Sequence, residues 1–85
     1  MNELFKLMAH TLGVDPKESL PESFLRNKFV AGDDHSDISI LKYGQEQGYM
    51  SCTAPLAIFG GSRMWYVTEL GVEFFKNNYE ALCKA

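Results

Sequence analysis

The chain has 85 residues, of which 46% are hydrophobic, 13% aromatic and 22% charged. That length allows one domain, which buries only about 60–65% of its unfolded surface, and the apolar content excludes a disordered tail. Eight basic and eleven acidic residues leave a net charge of −3, which excludes a polybasic nucleic-acid tail and gives an anionic membrane surface nothing to attract.

Residues 2–12 read as a first helix. Leu4, Phe5, Met8 and Leu12 recur at helical spacing, and Leu7 widens the stripe. Asn2 caps its start, Gly13 stops it, and Asp15-Pro16 enforces a break, because the residue before proline avoids the helical region. His10 lies beside the apolar stripe as a boundary residue.

A second helix is predicted over 20–30. Ser19 with Glu22 matches a capping box, and Pro21 falls in the first turn, where its missing N–H costs nothing. Phe24, Leu25, Phe29 and Val30 supply its buried side, and Gly32 ends it. A third helix is predicted over 35–47, with Asp33 and Asp34 offering cap oxygens at the positive end of its dipole. Its apolar residues are Ile38, Ile40 and Leu41. Gly44 sits mid-helix at a cost of about 1 kcal/mol relative to alanine, and Gly48 closes it.

Strands are predicted over 49–53 and 63–68, rich in aromatic and β-branched residues. The stretch between them, 54–62, contains Pro55 and Gly60-Gly61 and reads as a wing-shaped loop. A rival register makes 56–59 the first strand and Gly60-Gly61 a tight hairpin turn, and both registers fit the residues. The last helix is predicted over 69–83, capped by Thr68 with Glu69 at the dipole's positive end. Val72, Phe75, Tyr79 and Leu82 form its stripe. The expected architecture is one α+β domain spanning 1–85, in the order α-α-α-β-β-α.

That order resembles a winged helix-turn-helix domain. The second and third helices, joined by Ala31-Gly32-Asp33-Asp34, correspond to the helix-turn-helix. Ile38 to Met50 looks like the recognition helix and its exit into the wing, with Glu46, Gly48, Tyr49 and Met50 where winged-helix proteins commonly carry a Glu, a Gly and two apolar residues. Tyr66-Val67-Thr68-Glu69-Leu70-Gly71 resembles the step from second wing strand into a final helix. Gly44 departs from the pattern, which usually has a large apolar residue there. A narrower resemblance joins Arg26-Asn27-Lys28-Phe29, the stretch 32–37 with His35, Gly48-Tyr49-Met50, Gly60-Gly61 and Trp65-Tyr66-Val67-Thr68 to a family of small, largely uncharacterised phage and prophage proteins. It implies a phage or prophage context and no mechanism.

Residues 1–32 and 51–85 are each electrically neutral, so the whole −3 falls on 33–50, where Lys42 stands against Asp33, Asp34, Asp37 and Glu46. DNA affinity rests on cations meeting phosphates, and the first turn of a recognition helix should hold base-reading residues. Three aspartates there repel phosphate. The expectation is a helix-turn-helix shape whose DNA face has been lost or repurposed.

The stretch Asp33-Asp34-His35-Ser36-Asp37 is the densest polar cluster. It serves as helix capping, as an acidic docking surface or, least of all, as a cation site, since no second cluster supplies partners at metal-ligand spacing. In the wing, Leu56, Ile58 and Phe59 are followed by Met64, Trp65 and Tyr66, of which strand alternation buries only one face. These residues either fold back on the core or make an aromatic partner surface.

Ser36, Ser39, Ser51, Ser62 and Cys52 share no motif with either histidine, so a non-enzymatic chain without catalytic, cofactor or metal residues is expected. The two cysteines, Cys52 and Cys83, fall in no CxxC or zinc-ligand spacing and read as free thiols. No apolar run reaches the ~18 residues of a membrane span, and Met1-Asn2-Glu3 lacks a basic signal-peptide start. A cytoplasmic location is expected.

The first functional expectation is a phage-type accessory protein that binds another protein through Asp33, Asp34, His35, Asp37, Ile58, Phe59 and Trp65, for instance an inhibitor of a host or defence complex that handles nucleic acid. The alternative is a winged-helix DNA-binding transcriptional regulator that contacts phosphate through Arg26, Lys28, Lys42 and Arg63, which a homodimer would assist by joining basic surfaces. A third reading is an assembly protein working by self-association.

Overall fold

A computed structural model describes residues 3–15, 17–24 and 26–83. Asn2, Pro16 and Leu25, and the side chains of Leu82 and Cys83, lie outside the described residues, and with them the first cap, the proline break, the end of the last apolar stripe and the second thiol. Three helices, α1 (Glu3–Leu12), α2 (Ile38–Glu46) and α3 (Glu69–Cys83), pack with three strands, β1 (Phe29–Ala31), β2 (Met50–Cys52) and β3 (Arg63–Val67). The strands form an antiparallel sheet in the order β1-β3-β2. The molecule is a small α+β domain.

The α1 stripe forms the centre of the core. Leu4, Phe5, Leu7, Met8 and Leu12 are all buried, as periodicity predicts. Phe5 stacks on Phe75 of α3 at 4.6 Å between ring centroids, and Tyr79 joins at 6.0 Å. Burial of each such ring contributes on the order of 2 kcal/mol. Along β3 the pleat alternates, placing Trp65 and Val67 inward in the same cluster and leaving Met64 and Tyr66 half-buried.

The predicted helix over 20–30 does not form. None of the described residues from 20 to 28 is helical, and 29–31 is strand. The order is therefore α-β-α-β-β-α, and the first helix of the expected helix-turn-helix is lost. Distant partners override the local capping signals. The Arg26 guanidinium donates twice to the His10 carbonyl, at 2.7 and 3.2 Å, and the Lys28 N–H donates to the Thr11 carbonyl at 3.2 Å. These three bonds go to carbonyls of the last turn of α1, where the His10 carbonyl also accepts the Gly13 N–H at 3.2 Å. Further upstream the Tyr79 hydroxyl donates toward the Glu18 and Asp15 carbonyls, at 2.6 and 3.0 Å, holding that stretch in an irregular path.

The third predicted helix forms as α2, three residues later than expected. Asp33 and Asp34 lie in the preceding turn and Asp37 takes the cap position, but no carboxylate caps the helix. Asp37 has φ −96° and ψ 8°, outside the extended geometry that brings a cap oxygen to the first-turn amides. The Asp37 N–H instead donates to Nδ1 of His35 at 3.0 Å. Gly44 is explained by packing. A Cβ there would lie 2.6 Å from Cγ of Met50 and 2.9 Å from Cδ1 of Leu4, so a large residue would push α2 off both neighbours.

The strand pairing follows the first of the two registers, with Met50 opposite Val67 and Cys52 opposite Trp65. The rival strand at 56–59 is instead a short 3-10 turn, Ala57–Phe59, inside a loop closed by Leu56 N–H to the Ser62 carbonyl at 2.9 Å. Thr68 caps α3 as expected, its Oγ1 accepting the Gly71 N–H at 3.1 Å.

Candidate functional site

The face of α1 turned from the core carries Glu3, Lys6 and His10 around the edge of Leu7, the i, i+3, i+4, i+7 spacing of one helical face. Across from it run Arg26, Lys28, Phe29 and Val30, held there by the same bonds that prevent a second helix. Between the two walls lies an open groove of about 780 Å³. His35, Asp37 and Ile40 close one side of it, and Phe59 reaches in from the 54–62 loop.

Phe29 is the hinge of this arrangement. Its ring meets the imidazole of His10 at 5.5 Å and that of His35 at 5.2 Å, both near-perpendicular, at 76° and 75°. Edge-to-face packing of this kind fixes ring orientation, so the two histidines and Phe29 form one block. His35 is held further by the Asp37 N–H. The groove is therefore apolar at its base (Leu7, Phe29, Ile40, Phe59), with charge around the rim.

Cations predominate on that rim. Lys6 is 3.5 Å from the Glu3 carboxylate on the same helix, an exposed pair of a kind that contributes little to stability. Arg26 donates two N–H groups to a carbonyl and makes no ion pair among the described residues. Lys28 extends exposed beside it, and Asp37 is the remaining carboxylate. A smaller depression of about 270 Å³ shares Glu3 and Ile40 with the groove and is also lined by exposed Tyr43.

The groove collects residues nominated for opposite reasons. His35, Asp37 and Phe59 belong to the protein-binding set, Arg26 and Lys28 to the nucleic-acid set, and all five line it. Asp33 and Asp34 are exposed in the turn outside it, and Ile58 stands at the loop tip, 84% exposed. Leu56 is half-buried and not fully exposed. Trp65 requires correction as a surface contact. It is 2% exposed inside the core, because strand alternation turns it inward with Val67. Its Nε1–H finds no acceptor among the described residues.

Lys42 and Arg63 lie outside the groove. Arg63 donates to the Thr53 carbonyl, from β3 to the end of β2, at 3.2 Å. Lys42 is on the exposed side of α2, one turn before the exposed Glu46, so the cation on the face that would meet a duplex has an anion at i, i+4 spacing. Glu3, Lys6 and His10 carry the helical spacing that marks the α1 wall, but nothing local says that a helix's polar flank will face another segment.

Among the described residues no group of three or more His, Cys, Asp or Glu is placed to hold a metal ion, and no helix is long and apolar enough to cross a membrane. Cys52 is a half-buried free thiol. Comparison with known proteins gives no match to a family model, to a curated protein or to a solved structure.

Proposed function

We propose that this chain is a non-enzymatic protein-binding module that uses the groove between α1 and β1. The convergence of His35, Asp37, Phe59, Arg26 and Lys28 on one concave surface carries this reading. An apolar base with an aromatic anchor and a charged rim is the anatomy of a protein contact. The resemblance to small phage and prophage proteins supports an accessory role in that context. Its most concrete form is an inhibitor docked on a host or defence complex that handles nucleic acid.

The succession of α2, β2, the 54–62 loop and β3 supports a winged-helix-like reading of the C-terminal part of the domain. The duplex-binding regulator is the weaker reading. Phosphate contacts need unopposed cations on the groove-entering helix, and Lys42 on α2 is offset by Glu46.

The test uses the immobilised full chain against a lysate of its source cells, with duplex DNA titrated separately at low salt. The reading expects a protein that still binds after purification, and that binds about tenfold or more weakly to Phe59→Ala, as loss of an aromatic anchor does. Duplex binding with a steep salt dependence and no protein partner would overturn it.

A further inference from the structure

Three hydrogen bonds fix which way the backbone of β1 faces. Thr53 N–H donates to the Met64 carbonyl at 3.0 Å, so Met64 turns its backbone toward β2. Val30, opposite Met64, is therefore a non-hydrogen-bonded position of the β1–β3 pair, with N–H and C=O directed away from β3. Val67 agrees, since its N–H reaches the β1 side to meet Asn27 Oδ1 at 2.8 Å. Two residues before Val30, the Lys28 N–H points the same outward way and is taken by the Thr11 carbonyl at the end of α1. The end of α1 thus closes the ladder at Lys28 and leaves it open at Val30, which is 41% exposed and lines the groove.

We infer that an extended acidic segment of a partner protein adds to the sheet along β1 at Val30. This deepens the protein-binding reading and rests on it. An exposed strand edge is a template for strand addition, in which backbone bonds supply affinity and alternate side chains supply specificity. On one side, the added strand places side chains on the apolar base formed by Phe29, Ile40 and Phe59. On the other, its carboxylates meet Lys28 and Arg26, which make no ion pair among the described residues. A nucleic acid strand would satisfy the cations but leave the apolar base and the free backbone edge unmatched. A second copy of the chain would lay down its own β1 segment, which carries Arg26 and Lys28 on one side of Val30 and Asp33 and Asp34 on the other and is not a uniformly acidic strand.

The full chain is panned against a displayed random-peptide library, and an enriched peptide is synthesised and titrated into labelled protein. The expected peptides alternate acidic with β-branched residues. Their binding protects the Val30 amide from hydrogen exchange, and Lys28→Glu weakens it by about tenfold or more, equivalent to about 1.4 kcal/mol. Val30→Pro deletes the outward N–H without touching the bonds that Phe29 and Ala31 make to β3, a placement edge strands tolerate, and weakens binding similarly. If Val30→Pro does not fold, Lys28→Glu and the amide protection decide the matter.

Enrichment of basic peptides, binding indifferent to both variants, or competition by an oligonucleotide overturns the inference. So does a dimer in sedimentation that Val30→Pro abolishes, which would assign the edge to a second copy. A purified partner protein that binds both variants as it binds the parent removes this inference alone. Loss of all protein binding, with duplex binding in its place, removes the wider reading.

Discussion

Asn27 pairs with Val67 as a strand residue would. Its Nδ2 donates to the Val67 carbonyl at 2.9 Å and its Oδ1 accepts the Val67 N–H at 2.8 Å, across 40 residues of chain. One side-chain amide thus continues the β1–β3 pairing two residues beyond Phe29, to the last residue of β3. It also sets where Lys28 and Val30 stand on the groove.

Asn27→Ala should cost about 1–2 kcal/mol, because two backbone groups lose their partner at a part-buried site. For a domain of this size that is a fall of roughly 4–8 °C in Tm per kcal/mol. Asn27→Asp should be at least as harmful, since it keeps the acceptor but sets a carboxylate oxygen against the Val67 carbonyl. Thermal melting of the two variants checks both. An unchanged Tm in Asn27→Ala would mean that the pair does not hold the strand end.

Trp65 is the single tryptophan of the chain, so its emission reports on one site. Burial in the core predicts a blue-shifted emission that iodide does not quench in the native state. Trp65→Ala should cost about 3–5 kcal/mol, the usual price of emptying an aromatic core position, and abolish binding by unfolding the domain. A red-shifted, readily quenched emission would place Trp65 at the surface instead.

Gly71 reverses an ordinary rule. In an exposed helix interior alanine is favoured over glycine by about 1 kcal/mol. Here a Cβ would overlap the Tyr49 carbonyl and come within 2.7 Å of Cγ1 of Val67. That carbonyl is already bound by the Thr68 N–H at 3.0 Å, while Thr68 Oγ1 donates to the Gly48 carbonyl at 2.6 Å. Gly71→Ala should therefore destabilise by about 1–3 kcal/mol, as overpacking does. Urea denaturation reads the sign directly.

Local signals revealed much of the frame. The stripe Leu4, Phe5, Met8, Leu12 identifies α1, Thr68 marks the start of α3, and aromatic and β-branched enrichment finds β2 and β3. They failed over 20–30, where Ser19, Pro21 and Glu22 resemble a helix start. The competing bonds come from His10, Thr11 and Val67, which no window around residue 25 contains, and tertiary partners outweigh local propensity. The site was legible only in pieces. Arg26, Lys28, His35, Asp37 and Phe59 each carry a local signal, but their convergence depends on β1, an element that the helix-like pattern of 20–30 conceals. Mapping the net charge along the chain likewise locates the deficit on 33–50 without revealing that Asp33 and Asp34 stand outside the groove and Asp37 on its rim.

Two lysines separate the groove from the outer face of α2. Lys28 lies on the groove rim and Lys42 on the helix face that would enter a DNA groove, and both are exposed. The most direct test compares partner affinity for the parent chain, Lys28→Glu and Lys42→Glu under identical salt. The groove account predicts that Lys28→Glu weakens binding by about tenfold or more, equivalent to about 1.4 kcal/mol, while Lys42→Glu leaves it unchanged. Loss of binding in Lys42→Glu with Lys28→Glu unaffected would contradict it and return the function to α2.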